Sequence, residues 1–238
     1  MRAILLAAGV GSRISREIDR PKSLLEVYGS EPLIVYTIKM LQGMGIEVAV
    51  VLGYRKEMFY EKLNGLNVRF YENPFFRVTN SLGSLWFARD FMQEDEDFLV
   101  MNADVFAERE IFERILEAKD DVSLLSDYRT VKSGDYFFKL ENGCICKYGK
   151  SEMPEEDRDC EYVGIVKVGK GYINDFKREL TRMVDAEEYN KWWENVLYDQ
   201  CDNVKLKALD VAPYFWSEID YIEDYEKIKN YIANSSAK

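Results

Sequence analysis

Ala3-Ile4-Leu5-Leu6-Ala7-Ala8-Gly9-Val10-Gly11-Ser12-Arg13 is the stretch that decides the fold of this 238-residue chain. Residues 3–6 form a short continuous apolar run that ends in a turn of small residues. Such a run, closed by glycine, predicts a strand buried on both faces. The same rhythm repeats downstream. A helix is expected over 33–41, with Leu33, Tyr36, Thr37, Met40 and Leu41 on one face, followed by a strand over 48–52 closed by Gly53. Then come a helix over 56–63, a strand over 68–71, and a helix over 81–91 with Leu82, Leu85, Trp86 and Arg89 at helical spacing. A strand over 98–101 ends at Asn102-Ala103-Asp104, and a helix over 110–118 and a strand over 122–125 follow. This alternation predicts an α/β fold with a mostly parallel, doubly wound sheet.

Beyond residue 129 the texture changes. Residues 136–140 and 144–148 read as a hairpin around Glu141-Asn142-Gly143. A strand over 161–168, helices over 173–183 and 188–198, a strand over 204–209 and a closing helix over 221–232 complete the expectation. No Pro-, Gly- or Ser-rich linker and no repeat divides the chain, so residues 1–238 read as one domain with an antiparallel lobe.

Composition narrows the chemistry. There is no histidine, which excludes Ser-His-Asp and Cys-His nucleophiles, histidine metal ligands and an imidazole acid/base. The formal net charge is −11, which argues against a general nucleic-acid binder. That charge is uneven. Residues 1–29 carry five bases and three acids, a net of +2, and the rest carries −13. Cys144, Cys146, Cys160 and Cys201 fit no zinc or redox spacing and read as reduced thiols of a cytoplasmic protein. No apolar run reaches membrane-spanning length. A homo-oligomer is allowed, though nothing in the chain requires one.

Small residues at Ala7, Ala8, Gly9 and Gly11 let backbone amides approach an anion. Alone, the turn reads equally well as a tight strand-to-helix connection. Arg13 and Lys22 add a guanidinium and an ammonium, the charges a triphosphate needs beside a ring of amides. Asp104 and Asp220 suit Mg2+, which takes one or two carboxylates plus phosphate oxygens; each reads alternatively as a helix cap.

Leu6-Ala7-Ala8-Gly9-Val10-Gly11-Ser12-Arg13, Pro21-Lys22-Ser23-Leu24-Leu25 and Pro32-Leu33-Ile34 resemble the nucleotidyltransferase family that couples a nucleoside triphosphate to a phosphorylated small molecule. Asn80-Ser81-Leu82-Gly83-Ser84-Leu85, Asn102-Ala103-Asp104, Glu161-Tyr162-Val163-Gly164-Ile165 and Glu218-Ile219-Asp220 are similar to the later motifs of its bacterial phosphocholine cytidylyltransferase branch. The resemblance implies a Rossmann-like mixed sheet, with 1–128 binding the nucleotide and 129–238 the acceptor. It implies Lys22, Arg13 and Asp104 as catalytic residues and Asp104 with Asp220 as the Mg2+ pair. It also implies a nucleotide site built from Leu6, Ala7, Ala8, Gly9, Gly11, Ser12, Arg13, Lys22, Gly53, Tyr54, Asn80, Ser81, Gly83 and Ser84. The expected partners are CTP and a small phosphorylated alcohol, phosphocholine first. Phosphoethanolamine, an alkylphosphonate, inositol phosphate or a sugar 1-phosphate are the alternatives, and a nucleotide sensor without turnover is the competitor from another class.

On the acceptor side, Lys150 is a candidate for the phosphate and Glu161 with Tyr162 for a positive headgroup. Residues 152–161 hold six acids against one base, a run that reads equally as a solvated loop. Aromatic cages hold quaternary ammonium groups, which makes Trp193 and Trp216 candidates. Tyr189, Trp192, Trp193, Val196 and Leu197 fall at helical spacing, however, and this predicts a core stripe with at most one tryptophan on a pocket rim.

Overall fold

Alternation along the first strand, β1 (Arg2–Ala7), sets the layers. Ile4 enters one core, and Ala3 and Leu5 enter the other, because successive side chains leave opposite faces of a strand. The computed structural model describes residues 1–11 and 18–235. A short ribbon follows, β2 (Glu26–Tyr28) with β3 (Glu31–Pro32). The order then runs α1 (Leu33–Gly43), β4 (Glu47–Leu52), α2 (Lys56–Lys62), β5 (Val68–Glu72), α3 (Ser81–Phe87), β6 (Phe98–Asn102), β7 (Val105–Ala107), α4 (Arg109–Glu117) and β8 (Val122–Asp127). The remaining elements are β9 (Phe137–Glu141), β10 (Cys144–Gly149), β11 (Cys160–Val168), α5 (Ile173–Asp185), α6 (Asn195–Tyr198), β12 (Leu206–Asp210), β13 (Trp216–Glu218) and α7 (Ile222–Ser235).

Nine strands form one Rossmann-like mixed sheet in the order β5-β4-β1-β6-β11-β8-β12-β10-β9. β5, β4, β1 and β6 are parallel. β11 runs antiparallel to both β6 and β8, while β8 and β12 are parallel. The antiparallel part is therefore continuous with the sheet. On one face α3, α5 and α6 bury Leu85, Phe176 and Leu197 against Phe98 and Val100. On the other, α1, α2 and α4 bury Ile38, Phe59 and Phe112 against Val50 and Met101. Truncating a fully buried phenylalanine such as Phe112 to alanine would cost about 3–5 kcal/mol.

The sequence of β4 and β6 on either side of β1 reverses the winding direction. Ligands of doubly wound sheets collect in the crevice at such a switch, outside the carboxyl ends of the strands. The glycine turn leaves β1 there and Asp104 follows β6 there, with the Ala103 N–H donating to the Leu6 carbonyl at 3.1 Å.

Two expectations fail locally. The helix expected over 81–91 stops at Phe87 and gives way to a 3-10 turn over Arg89–Phe91. The helix expected over 188–198 is reduced to Asn195–Tyr198. In the lost part, the carbonyls of Tyr189 and Lys191 accept hydrogen bonds from Asn80 N–H (2.9 Å) and Leu82 N–H (3.3 Å). They serve the start of α3, whose first amides have no partner within their own helix. The apolar spacing over 189–197 is thus not a helix stripe.

Candidate active site

A cleft of about 580 Å³ opens at the switch point. Leu6, Ala7, Ala8, Gly9, Val10 and Gly11 line one end as consecutive backbone. Among the described residues no other group approaches the place of a Cβ on Gly9, so the turn offers its main chain there. Gly11 has φ +61°, a conformation that favours glycine, and an added Cβ would lie 3.1 Å from Lys22 Cγ. Ser12 and Arg13 lie outside the described residues.

Lys22 begins a 3-10 turn, Lys22–Leu24, whose Ser23 and Leu24 are buried. Its ammonium lies between two carboxylates: it donates to Asp220 Oδ1 and sits 3.4 Å from Asp104 Oδ2. A two-strand ribbon brings these distant aspartates together. β7 pairs antiparallel with β13, Val105 opposite Glu218, and the Ile219 N–H donates to the Asp104 carbonyl at 3.0 Å. Asp104 therefore leads into a strand rather than capping a helix. At the start of α7, Asp224 performs the capping instead, accepting from the N–H groups of Asp220 (3.0 Å) and Tyr221 (2.8 Å).

Among the described residues the floor gathers Asp104, Glu218 and Asp220 around Lys22. Burial pulls the Lys22 ammonium down, yet Asp104, Asp220 and Glu218 together outweigh it and hold its pKa above the usual lysine value. Burial raises the Asp104 carboxyl, and Lys22 opposes that rise while Asp220 adds to it. Glu218 is pushed well above its ordinary value by burial and then by Asp104 and Asp220. No group of three or more His, Cys, Asp or Glu side chains among the described residues converges as a ready metal cage. Asp104 and Asp220 do supply hard oxygen donors around one cation position. A divalent ion completed by phosphate oxygens fits that donor set.

The other end is aromatic. Tyr136, Tyr162, Trp192 and Tyr198 line it with Lys150 and Glu194. Tyr136 stacks on Tyr198 at 5.4 Å and meets Trp192 edge-on at 6.1 Å. Lys150 Nζ lies 4.2 Å over the Trp192 ring and 3.8 Å from Asp135 Oδ2. The Tyr198 hydroxyl is buried without a hydrogen-bond partner. Glu194 is buried, and burial pushes its carboxyl up to about 7, against the opposing contacts with Asn102 and Tyr162.

Asn80, Ser81 and Ser84 line the cleft with Lys22, Asp104, Asp220, Lys150 and Tyr162. Asn80 also caps α3 through its side chain, which accepts from Ser81 N–H. Five expected site residues stand elsewhere. Gly53 and Tyr54 buttress the glycine turn from behind: Tyr54 N–H donates to the Ala8 carbonyl at 3.0 Å, and a Cβ on Gly53 would lie 2.7 Å from that oxygen. Gly83 packs against Thr79 instead of facing the cleft. Trp193 is wholly buried, with its indole N–H donating to Asn102 Oδ1 at 3.2 Å, and its neighbour Trp192 is the one that rims the cleft. Trp216 is buried too and donates to Asp127 Oδ2 at 2.8 Å.

Glu161 forms a sixth departure. It lines a neighbouring cavity and accepts from Asp135 N–H at 2.9 Å. Adjacent residues of a strand face opposite ways, so Tyr162 in the cleft turns Glu161 out of it. The acidic run before it is largely a solvated loop, where Asp157 pairs with Lys139 and Lys147. Tyr136, Glu194, Tyr198 and Glu218 were not foreseen. Only Glu218 carried a signal, since in Glu218-Ile219-Asp220 a period of two puts both carboxylates on one face.

A crevice that joins a bare glycine turn, Lys22, Lys150 and paired aspartates has the groups a nucleotidyltransferase needs. Residues 3–130 match the MobA-like NTP transferase domain, and the chain belongs to that family. It is 29% identical to the CTP:phosphoglutamine cytidylyltransferase of Campylobacter jejuni, with 95% of this chain and 98% of that protein aligned. It is 24% identical to the choline-phosphate cytidylyltransferase of Streptococcus pneumoniae, with 99% and 100% aligned. The solved CTP:phosphocholine cytidylyltransferase of Streptococcus pneumoniae shares the fold, with a TM-score of 0.79 at 21% identity over 97% of this chain and 98% of the other. The inositol-1-phosphate CTP transferase of T. maritima does so at 0.73 and 20% identity, over 95% and 94%. No helix among the described residues is long and apolar enough to cross a membrane.

Proposed function

We propose that this protein is a Mg2+-dependent cytidylyltransferase of the cytoplasm, forming a CDP-alcohol and pyrophosphate from CTP and a small phosphorylated alcohol, phosphocholine first. The observation that carries this reading is the Lys22 ammonium held between Asp104 and Asp220 beneath the glycine turn.

An oxygen of the acceptor phosphate attacks the α-phosphorus of CTP; that P–O bond forms as the bond to pyrophosphate breaks. A phosphomonoester has its second pKa near about 6, so the nucleophile arrives ionised and no general base is needed. The chain lacks histidine without penalty for that reason. What the reaction requires is alignment and screening of two anions. The turn 6–11 offers backbone to the phosphates, and Lys22 offers a flexible ammonium. Asp104 and Asp220 would hold a divalent ion, which would supply Lewis-acid screening of the phosphates. Lys150 supports the acceptor phosphate from the opposite end. Tyr136, Trp192 and Tyr198 with Glu194 support a positively charged headgroup, since aromatic faces and a nearby carboxylate both favour cations.

The test is pyrophosphate release across four nucleoside triphosphates and a panel of phosphorylated acceptors, with Mg2+. Turnover with CTP and phosphocholine is expected. Turnover restricted to UTP or dTTP with a sugar 1-phosphate would replace both substrates in this reading.

A further inference from the structure

The position between the two aspartates is held by a cation of the protein itself. Lys22 Nζ touches both carboxylates and its side chain is only 12% exposed. The backbone under it is fixed: Leu25 N–H donates to the Lys22 carbonyl at 3.0 Å, and Ser23 and Leu24 are buried. The stem runs directly beneath the glycine turn, close enough that a Cβ on Gly11 would lie 3.2 Å from Lys22 Cε. Rotation of the side-chain end alone therefore carries the ammonium from the carboxylates toward an anion seated on the turn. An ammonium and a divalent ion cannot share one pair of carboxylates without strong repulsion at a few ångströms.

We infer that Lys22 is an exchangeable plug of the Asp104–Asp220 pair, so that the protein takes up a divalent ion only together with a nucleotide whose phosphates draw the ammonium away. This rests on the nucleotidyltransferase reading for the identity of the phosphate ligand. It implies an order: nucleotide and metal enter together, and metal alone binds weakly. Asp104 and Asp220 both face the Lys22 ammonium, so its departure returns two hard-oxygen donors to a divalent ion.

The test is calorimetric titration of the full chain with Mn2+ alone, for the wild type, Lys22→Met and Lys22→Arg, with Asp104→Asn as the control that should abolish the heat. Lys22→Met is expected to bind Mn2+ about tenfold tighter than the wild type, because it removes a positive charge from the site. Lys22→Arg, which keeps the charge, should stay within about threefold of the wild type. With a non-hydrolysable CTP analogue present the order should reverse, Lys22→Met becoming the weaker binder of the metal–nucleotide pair. A lysine with only a structural role would not produce that crossing. Equal affinity of wild type and Lys22→Met for Mn2+ alone overturns the inference. If Lys22→Met fails to fold by circular dichroism, the wild type decides: micromolar binding of Mn2+ without nucleotide overturns the plug, and weak binding that tightens with the analogue supports it. None of these readouts needs turnover, so failed pyrophosphate release would sink the proposed reaction separately.

Discussion

At one end of the cleft six consecutive residues, 6–11, present main chain from the end of a single strand. At the other, Tyr136, Lys150, Trp192, Glu194 and Tyr198 arrive from three separate regions and act through side chains. In the proposed reading the first end recognises what all nucleoside triphosphates share, through main chain that a side chain at Gly11 would disturb by meeting Lys22. The second end can be retuned one residue at a time. Under the proposed function this contrast would put reaction class at one end and acceptor choice at the other. The carboxylates on the β7–β13 ribbon lie between them.

The largest expected effect breaks that middle ground. Asp104→Ala should lower turnover by about a thousandfold or more, because it removes one of the two carboxylates proposed to hold the metal. The melting temperature should hold or rise, since burial already disfavours the Asp104 carboxylate. Pyrophosphate release and a thermal melt together check this; retained turnover would remove Asp104 from the site.

Trp192→Ala separates the two ends. It should raise the acceptor KM by about tenfold, the scale of one partly desolvated cation–π contact, and leave the CTP KM unchanged. Equal changes in both constants would mean that the ends are not independent.

A smaller effect concerns stability. The folded Glu194 carboxyl has its pKa raised from 4.5 to about 7, chiefly by burial. Below pH 4.5 both states hold the proton and nothing is lost. Between pH 4.5 and about 7 the unfolded chain releases its proton first, so stability falls as pH rises, and it levels off above that window. Glu194→Gln removes this loss. Relative to the wild type, the variant should therefore gain up to about 3 kcal/mol between pH 5 and pH 8, read by denaturant melts. A difference independent of pH would contradict the burial.

The least effect on activity is expected from Trp216→Phe. Its indole N–H supports Asp127, which Arg129 still holds through three hydrogen bonds, two from the guanidinium at 2.9 and 2.8 Å and one from its backbone N–H at 2.8 Å. The loss should be about 1 kcal/mol of stability, with kcat/KM within about twofold. A large rise in acceptor KM would return Trp216 to the acceptor site.

Much of this was legible in the sequence. The run 3–6, the small-residue turn and the alternating strands and helices predicted the parallel block and the cleft's position, because those signals are local: period two, period 3.6 and glycine at turns. Lys22 was legible as a candidate by charge and placement, and Asp104 with Asp220 by the family resemblance. The aromatic end was not. Trp192 and Trp193 are adjacent and chemically identical, and nothing local says which faces the cleft. The choice follows from the carbonyls of Tyr189 and Lys191 being committed to α3, which unwinds the expected helix. Glu161 and Tyr162 were likewise separable only once the sheet had assigned the faces of β11.

The sequence by itself thus determined the reaction-bearing turn, the absence of any imidazole chemistry and the identity of the charged groups. The resemblance paired Asp104 with Asp220; only the tertiary structure decided how they meet, on a three-residue ribbon too short to leave a periodic trace. It also decided that a lysine lies between them, because an ion pair across that separation in sequence is set by packing and not by spacing.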